Sequence, residues 1–347
     1  MSLASPCMGT PRRGNCGTVG DGERPLPALT PGVTPTVTRP AHAGVRGLSH
    51  LAFLYRDASE YLEHVLAFIR EGLARAEPVF AALPGDLGWR LRPDLGAAGR
   101  QLAVADINKL GRNPARITLA LGTFADQHAG QQVRIVTEPL WPARTDAETA
   151  EVMKHEALVQ MAAAGVNGQI LCAYDASQLS PARIDGACHA HPEILERGRH
   201  RPSSGYGAGT GPAREAELPP PPASAEFIAY DSQLRPVRAL ARSYGERAGL
   251  STDRCADLVL AVSEIAANTL AHTDGGGTVQ IWTSGHVVVC QVHDGGRITD
   301  PMAGRKRPPP DAPGQGLWVV NHVCDLVEMR SGPAGTTTRL HIRLPGR

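Results

Sequence analysis

Between residues 47 and 197 the apolar positions recur with two alternating periods, and the alternation predicts a sheet covered by helices. Residues 60–76, 116–129 and 147–164 repeat apolar side chains at three- and four-residue steps, as amphipathic helices do. Between and around them lie short apolar runs at 79–83, 101–106, 133–137 and 169–174, whose length suits strands buried on both faces. Such alternation predicts a mostly parallel sheet.

A different pattern begins near residue 225. Leu258, Val262, Ile265 and Thr269 recur at i, i+4, i+7 and i+11 and form the apolar side of a helix. Along another edge, Glu264, Asn268 and His272 follow one another at four-residue steps, stacking a carboxylate, an amide and an imidazole. Two strand-like runs, 278–283 and 286–293, flank the turn signal Ser284-Gly285, and the second ends in Asp294-Gly295-Gly296. A proline-rich loop at 300–313 leads into Gly314-Gln315-Gly316-Leu317-Trp318-Val319-Val320, a glycine pair opening an apolar helix. Glycine-bearing helix N-termini bind phosphate readily. The chain closes on Gly335-Thr336-Thr337-Thr338 and on Leu340, Ile342 and Leu344, which alternate as in a half-buried strand. A Glu and an Asn one turn apart supply the hard oxygen ligands that suit magnesium beside a triphosphate. Taken singly, each of these features also fits a solvated helix face or an ordinary loop.

In this order the elements resemble the ATP-binding domain shared by gyrase, histidine kinases and MutL, and within it the anti-sigma-factor serine kinases, over roughly residues 224–345. The resemblance implies a two-layer α/β sandwich of the histidine kinase-like ATPase type, with ATP and Mg2+ as cofactors. It implies that Glu264 serves as general base or orients the attacking group, that Asn268 coordinates the magnesium and that Asp294 accepts from the adenine amino group. It also implies that Gly296 lets backbone approach the base, and that Gly314 and Gly316, followed by Leu317, let the lid and helix close on the phosphates. Thr336 or Thr337 would adjoin the adenine pocket. His272 and Arg297 could add positive charge near the phosphates, whereas Arg305-Lys306-Arg307 reads as a solvated run. Ile298 stands where the wider family has the second glycine of D-x-G-x-G, a departure that resembles the anti-sigma subgroup and leaves the path of the lid open.

The first pattern carries a second resemblance. Gly47-Leu48-Ser49-His50, Phe53-Leu54-Tyr55, Phe68-Ile69-Arg70-Glu71-Gly72-Leu73, Leu110-Gly111-Arg112-Asn113-Pro114-Ala115-Arg116, Glu138-Pro139-Leu140-Trp141 and Cys172-Ala173-Tyr174-Asp175 follow the order of the MEDS sensory domain of bacterial regulators. That family implies a RecA-like, degenerate parallel-sheet domain that senses an unknown small-molecule ligand. No G-x-x-x-x-G-K-[ST] occurs, so no working P-loop is expected.

Length and composition allow both domains, since 347 residues with 42% hydrophobic content can fill two cores. The expected organisation is a disordered tail at 1–46, a MEDS-like domain at 47–197, a Gly/Pro-rich linker at 198–224 and an ATPase domain at 225–347. A linker of that composition predicts two separable domains. A net charge of +1 offers no basic field for direct nucleic-acid binding. No apolar run approaches the roughly 20 residues needed to span a bilayer, and the first 46 residues lack a secretory core, so a cytoplasmic location is expected. The seven cysteines include no C-x-x-C pair and read as buried or free thiols, with Cys172 in the core. His50, His189 and His191 show no ligand spacing in sequence and read as surface or capping residues. His155-Glu156-Ala157-Leu158 looks like the start of a phosphoacceptor box, but the Arg-Asn-Pro continuation and the long dimerisation helices are missing.

The expected function is therefore an ATP-dependent protein serine/threonine kinase, acting on an anti-sigma-factor antagonist or holding a sigma factor by partner switching. The alternative is a non-catalytic ATP-binding interaction module. A sensor histidine kinase ranks third for want of a histidine-bearing hairpin. Homodimerisation is left open.

Overall fold

The computed structural model describes residues 47–162, 165–207, 217–308 and 314–346. The expected tail at 1–46, the middle of the expected linker and part of the proline-rich loop lie outside the described residues.

The first part runs β1 (Leu48–Tyr55), α1 (Ala58–Ala74), β2 (Val79–Leu83), α2 (Leu87–Arg90), β3 (Ala103–Asp106), α3 (Ile107–Leu110) and α4 (Pro114–Gln127). It continues with β4 (Gln132–Thr137), α5 (Asp146–Ala162), β5 (Asn167–Asp175), α6 (Pro181–Ala190), β6 (Glu193–Glu196) and β7 (Arg199–Pro202). The strands form one sheet in the order β3-β2-β4-β5-β1-β6-β7. Every pairing in it is parallel except β6 with β7. All five residues of β2 are buried, as strands covered on both faces require. One face packs Val65 and Ile69 of α1 on Phe53 and Ala81, and the other packs Ile117 and Leu121 of α4 with Cys172 and Tyr174. The start of α1 is fixed by Asp57, whose side chain accepts from the backbone N–H groups of Ser59 and Glu60.

The second part runs β8 (Glu226–Tyr230), α7 (Arg235–Ala248), α8 (Thr252–His272), β9 (Gly277–Ser284), β10 (Val287–Asp294), α9 (Gln315–Val323), β11 (Leu326–Gly332) and β12 (Gly335–Arg343). Its sheet is antiparallel, in the order β11-β12-β10-β9-β8. One face carries the helices: Val237, Leu258, Val262, Ile265 and Val320 share a core with Val279, Ile281, Cys290, Leu340 and Ile342. The stripe read from the sequence of α8 is the side that enters this core.

The expected linker is corrected at both ends. It contains the whole of β7, which pairs with β6. At its other end the Pro219 carbonyl accepts from Arg339 of β12 at 2.6 Å, so the proline run lies against the sheet face opposite the helices. The two parts also touch directly. Arg116 of α4 donates to the carbonyls of Asn321 and Cys324, each at 3.0 Å, and to that of His322. The last carbonyls of a helix lack partners within it, and a cation is favoured there. Arg112 pairs with Asp325 at 3.1 Å, Lys154 of α5 donates to the Met329 carbonyl at 3.2 Å, and Arg343 pairs with Glu148 at 2.5 Å. A tether alone is therefore not what joins the halves. The apolar periodicity of the linker is silent about charged residues on α4 and α5 that find partners far away in sequence.

Candidate functional site

With Leu258, Val262, Ile265 and Thr269 buried, α8 turns Glu264 and Asn268, both half-buried, toward the start of α9. A Cβ on Gly316 would lie 2.7 Å from Glu264 Oε2 and 3.6 Å from Asn268 Nδ2. A side chain at 316 would push the end of the Glu264 carboxylate aside. Gly314 caps that helix at φ 95°, in the left-handed region that glycine enters without strain. Among the described residues neither Glu264 nor Asn268 has a hydrogen-bond or ion-pair partner. His272 ends α8 as an exposed residue, and Leu317 packs at the margin of the core.

Asp294 sits at the end of β10, and both its oxygens are fixed. Oδ2 accepts from the Thr269 hydroxyl at 2.7 Å, and Oδ1 accepts from the Gly296 N–H at 2.8 Å. Thr269 is itself held by the Tyr230 hydroxyl at 2.9 Å. A Cβ on Gly296 would meet Thr273 Cγ2 at 2.8 Å, so the backbone runs close to the end of α8 there. Thr336, opposite Asp294 in register, donates to the Gly296 carbonyl at 2.9 Å. Thr337 faces the other side, its hydroxyl 3.0 Å from His293 Nδ1. Strand alternation thus separates two threonines that the sequence left equivalent. Asp294 also lines an open cavity of about 430 Å³ with Tyr230, Gly276, Gly277 and Gly295.

The loop between β10 and α9 is tied at several points. The Ile298 N–H donates to Ser331 Oγ at 2.8 Å, and the Gly304 carbonyl accepts from Asn321 Nδ2 at 3.2 Å. Asn321 in turn accepts from Asn113 of α4 at 3.1 Å. Arg305 departs from the solvated run expected of it: it is buried and pairs with Glu151 of α5 at 3.0 Å, while Lys306 and Arg307 are exposed. Glu151 also holds Arg330 of β11 at 2.9 Å.

With this geometry in place, two family models match the chain. One, described as "MEDS: MEthanogen/methylotroph, DcmR Sensory domain", covers residues 49–192, and one described as "Histidine kinase-like ATPase domain" covers 227–342. The chain is a MEDS domain followed by a histidine kinase-like ATPase domain. Membership of the second family implies ATP binding. Among solved structures, a crystal structure of the RsbU and RsbW domains of Rv1364c from Mycobacterium tuberculosis aligns at 26% identity with a TM-score of 0.28. That alignment covers 36% of this chain and 34% of the other, so the chain spans about a third of that protein's length. No curated protein matches the chain. Among the described residues no helix is long and apolar enough to cross a membrane.

The MEDS domain holds a second constellation that sequence spacing concealed. His50 of β1, Glu156 of α5, Cys172 of β5 and His191 after α6 are all buried, and their ligand-type atoms lie within 4.8 Å of one another. Burial brings the imidazoles of His50 and His191 down to about 3 and pushes the Cys172 thiol well up. A surface role is thus corrected for both His50 and His191, whereas the capping role holds for His191, which ends α6 with its Nδ1 2.8 Å from the Ala187 carbonyl. His189 stays apart, its Nδ1 2.6 Å from the Asp185 carbonyl of its own helix. The four residues come from four segments, so no local spacing exists to detect. The one available signal was two polar residues, His50 and Cys172, within otherwise apolar strand runs.

Proposed function

We propose that the ATPase domain binds Mg-ATP and transfers its terminal phosphoryl group to a serine or threonine of an antagonist protein, within a partner-switching circuit that governs a sigma factor. The observation that carries this reading is the Glu264 carboxylate set against Gly316, with Asn268 one turn away on the same edge.

The residues present fit the nucleotide. Asp294 keeps acceptor capacity on two oxygens already oriented by Thr269 and Gly296, which suits an amino donor such as that of adenine. Thr336 steadies the Gly296 carbonyl beside it. Asn268 would offer its amide oxygen to magnesium, and the glycine-opened turn at Gly314 and Gly316 leaves backbone N–H groups accessible to phosphate oxygens. Bound Mg-ATP supplies the transferable phosphoryl group and the charge that neutralises it. Glu264, without a protein partner among the described residues, then accepts the proton of the incoming hydroxyl. His272 and Leu317 belong to the rim of this arrangement, and Thr337 lies outside it on the opposite face.

The substrate class rests on the resemblance of the E-x-x-x-N, D-x-G and G-x-G-L segments to anti-sigma kinases, Ile298 included. The test is incubation of the full chain with labelled ATP and antagonist-type proteins from the same genome. Label on a serine or threonine of one of them is expected. ATP binding without transfer to any would leave a binding module that changes partner affinity, and no ATP binding would remove both readings.

A further inference from the structure

We propose that the MEDS domain binds one divalent transition-metal ion, zinc by preference, through His50, Glu156, Cys172 and His191.

The first argument is geometric. Glu156 Oε2 lies 3.1 Å from His50 Nε2, 3.4 Å from His191 Nε2 and 3.6 Å from Cys172 Sγ, and His50 Nε2 lies 3.4 Å from that sulfur. A tetrahedral zinc ion with bonds of about 2.0–2.3 Å sets its ligand atoms roughly 3.3–3.7 Å apart. Three of these separations fall in that range and the His50–Glu156 one is slightly shorter, while all pairs of ligand atoms lie within 4.8 Å, so small side-chain shifts close the tetrahedron.

The second argument concerns hydrogens. His191 Nδ1 lies 2.8 Å from the Ala187 carbonyl, which can only accept, so Nδ1 carries the ring hydrogen. Nε2 of the neutral ring then presents a lone pair to a carboxylate oxygen, and it has no hydrogen-bond partner among the described residues. Two acceptors face each other in a site without solvent. Either a proton shared between the two groups or a cation bound between them resolves this contact. A metal ion turns the same contact into a pair of bonds.

The third argument is the surrounding shell. The Ala187 carbonyl orients His191, and the Tyr174 hydroxyl donates to Glu156 Oε1 at 2.9 Å, leaving Oε2 as the ligand. Metal-bound His and carboxylate groups are held in this manner. A thiolate and a carboxylate bring two negative charges, which a divalent ion neutralises, and a mixed N, S and O set with no solvent-facing position suits zinc in a closed site. Binding would displace the Cys172 thiol proton to solvent and form a metal–sulfur bond, with no change of oxidation state.

The test uses tag-free full-length protein stripped with chelator and titrated with zinc and with cobalt(II). About one equivalent per chain is expected, together with a thiolate-to-cobalt charge-transfer band and the intense visible absorption of tetrahedral cobalt. Cys172→Ser and His191→Gln should each lower the bound metal to near zero and remove the band. No uptake by the parent chain overturns the assignment, as does a charge-transfer band that survives Cys172→Ser. If these variants do not fold, X-ray absorption at the zinc edge of the parent decides: one sulfur with N/O ligands is expected, and a shell without sulfur rejects the site.

Discussion

Glu151 of the MEDS domain and Arg305 of the ATPase loop form a buried ion pair at 3.0 Å, so the sensory domain grips the segment that leads from the Asp294 strand to the Gly314 helix. The same carboxylate holds Arg330 of β11. Glu151 lies on α5, which also carries Glu156 of the buried cluster, so one helix touches both the cluster and the loop. Removing one member of a buried charge group costs up to about 3–5 kcal/mol, limited here by the free energy of docking the domains and by the other contacts the arginines keep. Glu151→Gln should therefore lower the denaturation midpoint of the full chain and change its ATP affinity. The exposed Glu63→Gln should do neither. Calorimetric affinities that match across all three proteins would disconnect the loop from the sensory domain.

Asp294 is oriented by two donors, and its remaining acceptor capacity is directed at the nucleotide in the reading proposed above. Asp294→Asn replaces an acceptor with an amide and should weaken ATP binding by about 1–3 kcal/mol, the cost of an unpaired buried donor. Titration calorimetry on the variant reads this directly, and unchanged affinity would strike Asp294 from the site.

Glu264→Gln keeps the shape beside Gly316 and removes the base. The rate of phosphoryl transfer should drop by about 10²–10⁴ with ATP affinity nearly constant. A variant that transfers at the parental rate would assign the proton to another acceptor.

Glu328 and His341 meet at 2.8 Å on the ATPase sheet. Burial by itself would raise the Glu328 carboxyl, but the hydrogen bond from His341 and the charges of His341, Arg339 and Arg330 outweigh it and hold the group below its ordinary 4.5. A carboxyl depressed in the folded state contributes fully above the unfolded value, and the contribution is lost as pH falls through the folded one. Urea unfolding should give a stability gap between the parent and Glu328→Gln that is constant at neutral pH and shrinks below about 4.5. A gap that does not depend on pH would mean that the pair acts through packing alone.

Local pattern determined much of this protein. The stripe of Leu258, Val262, Ile265 and Thr269 placed α8 and turned Glu264 and Asn268 to one edge, because helical periodicity fixes direction residue by residue. The apolar run of β2 announced a strand covered on both faces, and the ends of β9 and β10 fell within a residue of the pattern around Ser284-Gly285. Tertiary structure decided the rest. Strand pairing put Thr336 beside Asp294 and turned Thr337 away, a distinction fixed by which face packs on the helices. Chain folding gathered His50, Glu156, Cys172 and His191 from four segments, and it set Glu151 against Arg305 across the domain boundary. Periodicity reports which way a side chain points from its own element; it carries no information about which other element arrives to meet it.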